Sequence, residues 1–353
     1  VFPPVFRLDV RLVEDVAEEV GRIFGYEKIP ATLPGGRRTA WRVPEPSLEQ
    51  VLDAARADLA GAGFTEIIGP SIVGSALLRQ LGRFGDDRAI RIVNPISEEQ
   101  DTLRTTLAAT LVQAAARNQE RLRTAGLRLF EIGRAYLRRP GALPDAQADE
   151  PYRLGMLQAV GDSAEAGREA FLQVKGAFER AALALGPHRV AYRRAEAGTW
   201  LHPGRAAGVV VDGKEAGWVG ELHPLLVRSL GLSGRIVLLE VDVAPLLEVE
   251  IPLRYRPLGR FPGIERDLAV TVAEEVEAAA LTAAIEESGG GLLESVVAFD
   301  EYRGEQVGAG RKSVAFRLRF RSDERTLTDK EVDRAIAQVE RTLQRDFGAS
   351  PRG

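Results

Sequence analysis

Two groups of charged side chains have a spacing that could support chemistry, and the first is a row of arginines near the end of the chain. Residues 312–321 alternate between apolar and mostly basic side chains, which predicts a β-strand because successive side chains point to opposite faces. Arg317, Arg319 and Arg321 therefore share one face. Like charges in a row repel, so this face favours an anionic partner such as a nucleic-acid backbone. The alternative is a solvated face of surface arginines, and we expect this face to lack the aromatic residues on which single-stranded RNA usually stacks.

The second group consists of carboxylates near the start of the chain. Asp15, Glu18 and Glu19 share one face of a helix predicted from Leu12 to Phe24, and Asp9 precedes them. Four converging carboxylates would require a hard cation such as Mg²⁺, or a basic partner. The alternative is the ordinary excess of acidic residues in the first turn of a helix, where the helix dipole favours them.

The elements that position these carboxylates are a strand predicted over residues 6–10, which carries Asp9, and the helix that follows it. Gly25 ends that helix. The spacing of its apolar residues predicts a buried stripe. The stripe is formed by Val16, Val20, Ile23 and Phe24.

The arginine strand belongs to a predicted ferredoxin-like unit. A strand around Val270 and a helix over residues 274–288 precede a hairpin that joins residues 292–302 to residues 312–321. Thr328, three residues before a glutamate, begins the last helix with a capping box. The order strand, helix, strand, strand, helix predicts a split βαβ fold with helices on one sheet face and the arginines on the other.

The residues between these two regions predict a mixed α+β domain with a large, mainly antiparallel sheet. The Asp212-Gly213 dipeptide predicts a type I′ hairpin. Residues 30–46 are rich in Pro, Gly and Arg and predict a linker. The predicted strands cover residues 64–68, 89–93, 127–136, 152–160, 206–211, 215–222 and 236–241, and the predicted helices run from residue 47 to about 61 and from 103 to 123.

Composition limits the classes of protein to which the chain can belong. A length of 353 residues predicts two or three domains. The formal charge of −4 argues against a general polyanion binder, so any RNA contact must be a local patch. The absence of cysteine excludes disulfides, thiolate metal sites and cysteine nucleophiles. No apolar run approaches the roughly 20 residues needed to span a bilayer, so we expect a cytoplasmic protein with no membrane partner.

The motifs around the arginine strand resemble the ferredoxin-fold anticodon-binding domain that closes the beta subunit of bacterial phenylalanyl-tRNA synthetase. The resemblance rests on FPGIERDL at 261–268, FDEYRG at 299–304 and RTLTDKEV at 325–332. It implies that this domain binds tRNA(Phe) near the anticodon. The candidate RNA contacts are the basic residues of the hairpin, Arg303, Arg311, Lys312, Arg317, Arg319 and Arg321.

The middle of the chain resembles the synthetase-like domain of the same subunit, which has a class II synthetase fold without catalysis of its own. A working class II site needs an arginine on the ATP α-phosphate and a glycine-rich element with a second arginine. Only Phe130-Glu131 resembles the element that carries the first arginine. Gly308–Arg311 is similar to the glycine-rich element, but we expect it to be a hairpin loop. The motifs that carry the resemblance are NPISEE at 94–99, LRTTL at 103–107, LFEIGR at 129–134, HPGR at 202–205 and GELHP at 220–224.

Residues 7–30 resemble the end of the domain that precedes this one in the beta subunit. That resemblance implies that Asp9, Asp15, Glu18 and Glu19 are ligands of a magnesium ion shared with the alpha subunit. The chain begins with valine, which we interpret as a piece of a longer protein. The predicted divisions are 1–34, a linker at 35–46, the synthetase-like domain at 47–252 and the anticodon-binding domain at 253–353.

The sequence therefore predicts a non-catalytic part of phenylalanine–tRNA ligase that scaffolds the alpha subunit in an (αβ)₂ tetramer and binds tRNA(Phe). ATP is expected only at the level of the holoenzyme, on the alpha subunit. Two alternatives remain: a free-standing RNA-binding module with a synthetase-like fold, and a metal enzyme built on the four carboxylates. His202 and His223 each precede proline, and we expect turn and packing roles for them.

Overall fold

The computed structural model divides the chain into two compact units, Val1–Ser47 and Leu48–Gly353. The predicted linker at 35–46, the predicted boundary between residues 252 and 253, and the last two residues lie outside the described part of the chain. The residues that the structure describes are 2–32, 47–82, 88–122, 126–139, 141, 147–194, 200–248 and 259–351.

The described part of the first unit contains one α-helix, α1 (Val13–Phe24), followed by a 3-10 turn at Tyr26–Lys28. The predicted strand at 6–10 is wrong: these residues form turns, and no described strand of this unit lies beside them to supply ladder hydrogen bonds. The predicted burial of the α1 stripe is also wrong within this unit. Val20 and Ile23 are 62% and 83% exposed, because one helix and a short turn segment supply no second layer to cover them.

The second unit combines helices and strands, and Gly290–Leu292 and Glu305–Val307 add single 3-10 turns to its last third. Its α-helices are α2 (Leu48–Gly61), α3 (Ser75–Gln80), α4 (Leu107–Leu122), α5 (Ala164–Leu185), α6 (Pro224–Ser229), α7 (Ala244–Leu247), α8 (Ala278–Ser288) and α9 (Asp329–Phe347). Its strands are β1 (Thr65–Glu66), β2 (Ile72–Val73), β3 (Thr102–Leu103), β4 (Leu127–Arg134), β5 (Tyr152–Val160), β6 (Val190–Arg194), β7 (Leu201–Val211), β8 (Lys214–Leu222), β9 (Arg235–Asp242), β10 (Ile264–Ala273), β11 (Leu293–Tyr302), β12 (Arg311–Phe320) and β13 (Ser350–Pro351).

The larger sheet of the described residues has the strand order β1-β4-β5-β9-β8-β7-β6. β1 runs parallel to β4, and the other neighbours are antiparallel. The predicted type I′ hairpin is confirmed: Asp212 and Gly213 join β7 to β8 with φ angles of 49° and 82°. The mainly antiparallel sheet is therefore as the sequence predicts.

Alternation along the strands divides the apolar residues of this sheet between two cores. Phe130 and Met156 pack in the core that includes α2 and α5, whereas Leu129 and Leu157 pack in the core that includes α4. Adjacent residues of one strand serve opposite faces, because strand side chains alternate. Helices therefore cover both faces of the sheet.

Several elements of the large domain differ from the predictions. Residues 89–93 form no strand, and only Arg91 makes an isolated bridge, to Thr102. The long central helix begins at Leu107 instead of residue 103, because Thr102–Leu103 pair with β2. The helix α5, with its 22 residues, was not predicted from the sequence.

The last third of the chain forms the predicted split βαβ unit, with the strand order β11-β12-β10-β13. The apolar side of β12 is buried, with Phe316 and Phe320 at 0% exposure in a core that also contains side chains of α8 and α9. The predicted capping box of Thr328 and Glu331 is confirmed at the start of α9. α8 begins four residues later than predicted, because residues 274–276 form a turn.

One buried carboxylate fastens α4 to the centre of the large sheet. Oε2 of Glu240 on β9 accepts hydrogen bonds from the Thr106 hydroxyl (2.5 Å) and from the backbone N–H groups of Leu107 (2.8 Å) and Ala108 (3.1 Å). Oε1 accepts from Nη1 of Arg153 at 2.6 Å. A carboxylate at a helix N-terminus meets unpaired N–H groups and the positive end of the dipole, so it is well satisfied there.

A second buried carboxylate, Glu131 on β4, fastens the same helix from the neighbouring side. It accepts from Nη1 of Arg104 at 2.5 Å, from the Thr110 hydroxyl at 2.7 Å and from the backbone N–H of Gly69 at 3.0 Å. Side chains of both Arg104 and Glu131 are at most 5% exposed. Burial of such a pair is tolerated only when its remaining hydrogen-bonding capacity is used, as it is here.

Glu240→Gln tests whether the helix depends on this charge. An amide cannot accept all of these hydrogen bonds, and Arg153 keeps only the more exposed Asp242 as a charged partner, so we expect a decrease of about 3 kcal/mol in the free energy of unfolding, the lower end of the range for a broken buried pair. The matched control is Glu150→Gln, which breaks the exposed pair with Arg134 and should cost about 0.5 kcal/mol or less. Urea unfolding of the two variants measures both values. Equal decreases would contradict the conclusion that the buried charge of Glu240 holds α4 in place.

Candidate nucleic-acid interface

The arginine row lies on the face of the smaller sheet that is opposite the buried side of β12. Its neighbour β10 places acidic residues directly beside it, because Asp267 is the register partner of Arg317 and Glu265 is the partner of Arg319. Side chains of register partners point to the same face. The sheet therefore supplies carboxylates to its own arginines.

Arg317 makes the most complete of these contacts. Its Nε and Nη2 donate to the two carboxylate oxygens of Asp267 at 2.8 Å and 2.9 Å. Its guanidinium carbon lies 5.0 Å from the centre of the Phe299 ring, within the range of a cation–π contact. The hydrogen bond from Arg317 lowers the pKa of Asp267 below its usual value. Both side chains of the pair remain 51% exposed.

Arg319 and Arg321 share a carboxylate from β11. Nε of Arg319 lies 2.9 Å from one oxygen of Glu294, and Nη2 of Arg321 lies 2.5 Å from the other. Glu265 is more distant, at 3.9 Å from Arg319. Three guanidiniums thus face three carboxylates, namely those of Asp267, Glu294 and Glu265. The row that the sequence predicts is present, but its charge is balanced by the protein itself.

The other predicted RNA contacts occupy different positions. Lys312 is 6% exposed and lies on the buried side of β12, since it has the same alternation as Val314. Arg311 has the alternation of the arginine face, and it donates to the carbonyl of Thr271 at 3.0 Å. Arg303 follows the end of β11, where it pairs with acidic side chains outside the row. The structure therefore separates Lys312 from the arginine row.

An apolar part of this face was not predicted from the sequence. Val297 and Phe299 on β11 are 56% and 50% exposed, and Val297 is the register partner of Arg317. The expectation that the face lacks a stacking aromatic is wrong, because the Phe299 ring lies there. Two register shifts in β11, one of them between Ala298 and Asp300, determine which of its residues reach this face. The signal that could have found it is Phe299 itself, within the FDEYRG motif.

Two of the four candidate metal ligands in the first unit, Asp9 and Glu19, are paired with arginines of that unit. Arg7 contacts Asp9 at 2.7 Å and Glu19 at 2.5 Å, and Arg22 contacts Glu19 at 2.6 Å. These hydrogen bonds from arginine lower the pKa of Asp9 and of Glu19 to about 2. Arg7 thus supplies the positive charge that a metal ion was expected to provide.

Asp15 has a further role, as the acceptor that begins α1. Its Oδ2 accepts from the backbone N–H groups of Arg11 and Leu12, each at 2.7 Å. Within the described residues no group of three or more His, Asp or Glu side chains is arranged to hold a metal ion. In this arrangement the residues do not fit a magnesium ion, and the assignment of Asp9, Asp15, Glu18 and Glu19 as its ligands stays a prediction.

Three arginines of the large domain, the central arginines Arg104, Arg205 and Arg235, are also paired with carboxylates of the chain. Arg205 and Arg235 converge on the buried carboxylate of Glu221, at 3.0 Å and 2.7 Å. A Cβ atom on Gly133 would lie 2.6 Å from Nη2 of Arg104, so that guanidinium fills the space above the strand. The guanidiniums of Arg104, Arg205 and Arg235 are thus bound to carboxylates of the protein itself.

The glycines and histidines singled out in the sequence have local roles. Gly308 and Gly310 adopt φ angles of 82° and 72° in the loop before β12, as a turn requires. His223 caps α6 with its side chain, and His202 accepts from the backbone N–H of Gly204. The predicted turn roles of both histidines agree with these contacts.

The fold and this face define an α+β protein whose last domain carries an arginine-bearing ferredoxin-like sheet. Residues 29–243 match the family model described as the phenylalanyl tRNA synthetase beta chain CLM domain, and residues 259–352 match the ferredoxin-fold anticodon binding domain. The chain belongs to the phenylalanyl-tRNA synthetase beta chain family. The predicted fold class is confirmed in its α+β character, its large and mainly antiparallel sheet and its ferredoxin-fold anticodon-binding domain. The class II synthetase-like character of the sheet domain stays a prediction.

Similar proteins include the phenylalanine–tRNA ligase beta subunits of Moorella thermoacetica, 37% identical over 99% of this chain, and Symbiobacterium thermophilum, 38% identical over 97%. The chain spans 44% and 38% of the lengths of these relatives. The pyrrolysyl-tRNA synthetase PylSc of Desulfitobacterium hafniense is 16% identical with a TM-score of 0.45, and the match covers 66% of this chain and 73% of that one. No helix in the described residues has both the length and the apolar character needed to cross a membrane.

The Asp267 carboxyl provides a test of its pair with Arg317. Because its folded pKa is lowered, the pair contributes fully to stability above the ordinary aspartate pKa of about 3.9, and that contribution disappears as the pH falls through the lower folded value. A ¹³C NMR titration should place the Asp267 pKa below about 3.9, and Arg317→Ala should return it towards that value. Asp346, which pairs with Arg345, is the control and should not respond. An Asp267 pKa that is the same in both proteins would contradict the pair.

Proposed function

We propose that the chain is a non-catalytic part of a phenylalanine–tRNA ligase. In this proposal the last domain binds phenylalanine tRNA near its anticodon through the arginine face, and the large sheet domain scaffolds the catalytic alpha subunit. The observation that carries the proposal is the arginine face on a domain that matches the anticodon-binding family. The beta-subunit relatives support the ligase assignment.

The arginine face suits RNA for three physical reasons. Guanidiniums donate in a planar fork that matches phosphate oxygens, and they stack on bases. The exposed Phe299 ring offers a surface for an unstacked base, as in other sheets that bind single-stranded loops. The patch is local, so it is compatible with a chain whose formal charge is −4.

Catalysis is assigned to the alpha subunit, because the central arginines of this chain are bound to internal carboxylates. ATP and phenylalanine would bind to that subunit, and the two subunits would form an (αβ)₂ tetramer in the cytoplasm. A magnesium ion shared between the subunits would require Asp9 and Glu19 to exchange Arg7 for the metal. Carboxylate oxygens are suitable ligands for it once they are released.

The RNA-binding part of the proposal is tested by Arg317→Ala/Arg319→Ala. Removal of two guanidiniums should weaken binding of phenylalanine tRNA about tenfold or more at low salt, and should reduce the slope of log affinity against log salt by roughly 0.7–0.9 for each phosphate that is no longer neutralised. The control is Arg345→Ala on α9, whose arginine is 72% exposed but pairs with the adjacent Asp346. Filter binding across a range of KCl concentrations measures both quantities. An unchanged affinity and slope in the double variant would place the RNA elsewhere.

The scaffold part is tested by phenylalanine-dependent exchange between ATP and pyrophosphate. The chain alone should give no exchange above background, because its central arginines already have internal partners. Addition of the alpha subunit, with the remainder of the beta subunit, should produce exchange. Robust exchange by the purified chain alone would overturn the assignment.

A further inference from the structure

The pair of Arg317 and Asp267 differs from the other ion pairs of the arginine face. Both carboxylate oxygens of Asp267 accept hydrogen bonds from Arg317, whereas Arg319 and Arg321 each contact one oxygen of the same carboxylate, that of Glu294. Arg317 is also the arginine of this row whose guanidinium lies against an aromatic ring. The two hydrogen bonds to the carboxylate and the contact with the ring together restrict the position of its guanidinium.

Stability does not account for this geometry. Both side chains are 51% exposed, and a solvent-exposed ion pair contributes at most about 1 kcal/mol because water and salt screen it. Exposed arginines instead attract any polyanion, and their attraction is sequence-independent and strong at low salt. A carboxylate that occupies Nε and Nη2 makes that edge unavailable to a phosphate until the pair opens. The interaction with the ring, however, survives when the edge changes partner.

We propose that Asp267 is a positioning residue that keeps the Arg317 guanidinium over the Phe299 ring and withholds its charge from polyanions that offer only anionic groups. The inference rests on the proposed function of this face as an RNA-binding surface. A ligand that approaches the Phe299 side with a base or ribose makes additional interactions that compensate for opening the pair. A bare polyanion makes only the charge interaction. Asp267 thus lowers the affinity of this face for polyanions in general and raises its selectivity for RNA.

The chain contains a matched control for this proposal. Glu265 lies on the same strand and the same face as Asp267, and it carries the same charge, but its carboxylate lies 3.9 Å from Nη1 of Arg319. Glu265→Gln therefore removes one negative charge from the face without releasing a bidentate arginine. A comparison of Asp267→Asn with Glu265→Gln therefore distinguishes the effect of releasing Arg317 from the effect of a more positive electrostatic potential on this face.

The experiment measures the affinity of the whole chain for heparin and for a phenylalanine tRNA transcript from about 50 to about 200 mM KCl, a range over which binding to phosphates weakens steeply. Asp267→Asn should bind heparin about three- to tenfold more tightly at the lowest salt, with a slope steeper by roughly 0.7–0.9, the increment for one more neutralised anionic group. Affinity for the tRNA should rise less, so the ratio of tRNA affinity to heparin affinity falls. The change in the logarithm of heparin affinity caused by Glu265→Gln should be less than half of the change caused by Asp267→Asn.

The variant Asp267→Asn/Arg317→Ala completes the test. Without the guanidinium, the Asp267 substitution should have no more effect on heparin binding than Glu265→Gln. The proposal is overturned if Asp267→Asn matches Glu265→Gln in the native background, or if its larger effect persists in the Arg317→Ala background. If the unsubstituted chain does not bind the tRNA while Asp267→Asn still strengthens heparin binding, the RNA-binding function fails and the role of Asp267 in restraining Arg317 stands.

Discussion

The contact between the Glu240 carboxylate and the first turn of α4 determines how the large domain is assembled. A charge buried to this degree is tolerable only if donors surround it, and Glu240 obtains them from three residues at the start of the helix and from Arg153. The helix can therefore cross the sheet in one position only. Glu131 repeats the arrangement one turn further along, at Thr110. Together they align the helix that packs against one face of the sheet.

The same chemistry has a different consequence on the smaller sheet. Inside the large domain, arginine–carboxylate pairs are shielded from water, so opening them is costly and they hold the structure in place. On the arginine face the pair of Arg317 and Asp267 is half exposed, so opening it costs little and the guanidinium can exchange a carboxylate for another anion. Burial therefore separates pairs that support the fold from pairs that can take part in binding. The proposed division of labour, a scaffold joined to an RNA-binding sheet, follows from that difference.

Features encoded by neighbouring residues were predictable from the sequence. β5 spans the predicted residues 152–160, and both the type I′ turn at Asp212 and the capping box of Thr328 occur where expected, because each depends on residues a few positions apart. α5 was missed, since two glycines interrupt it. The cap at Ser163 and the buried stripe of Ala170, Val174 and Phe178 were the signals that could have found it. The partners of the arginines were not predictable, because Asp267 and Glu294 reach them through strand register and the bulges of β11. The turn at residues 6–10 likewise depends on Arg7, whose partner Glu19 lies twelve positions away.

Chemical footprinting of arginines tests the central claim most directly. Phenylglyoxal modification of the chain, followed by mass spectrometry, reports which guanidiniums are accessible with and without phenylalanine tRNA. The account predicts that the tRNA protects Arg317 and Arg319, and that Arg345 on α9, which is 72% exposed, is modified equally in both states. Protection confined to arginines outside the β10–β12 face, with Arg317 and Arg319 modified to the same extent with or without tRNA, would contradict it.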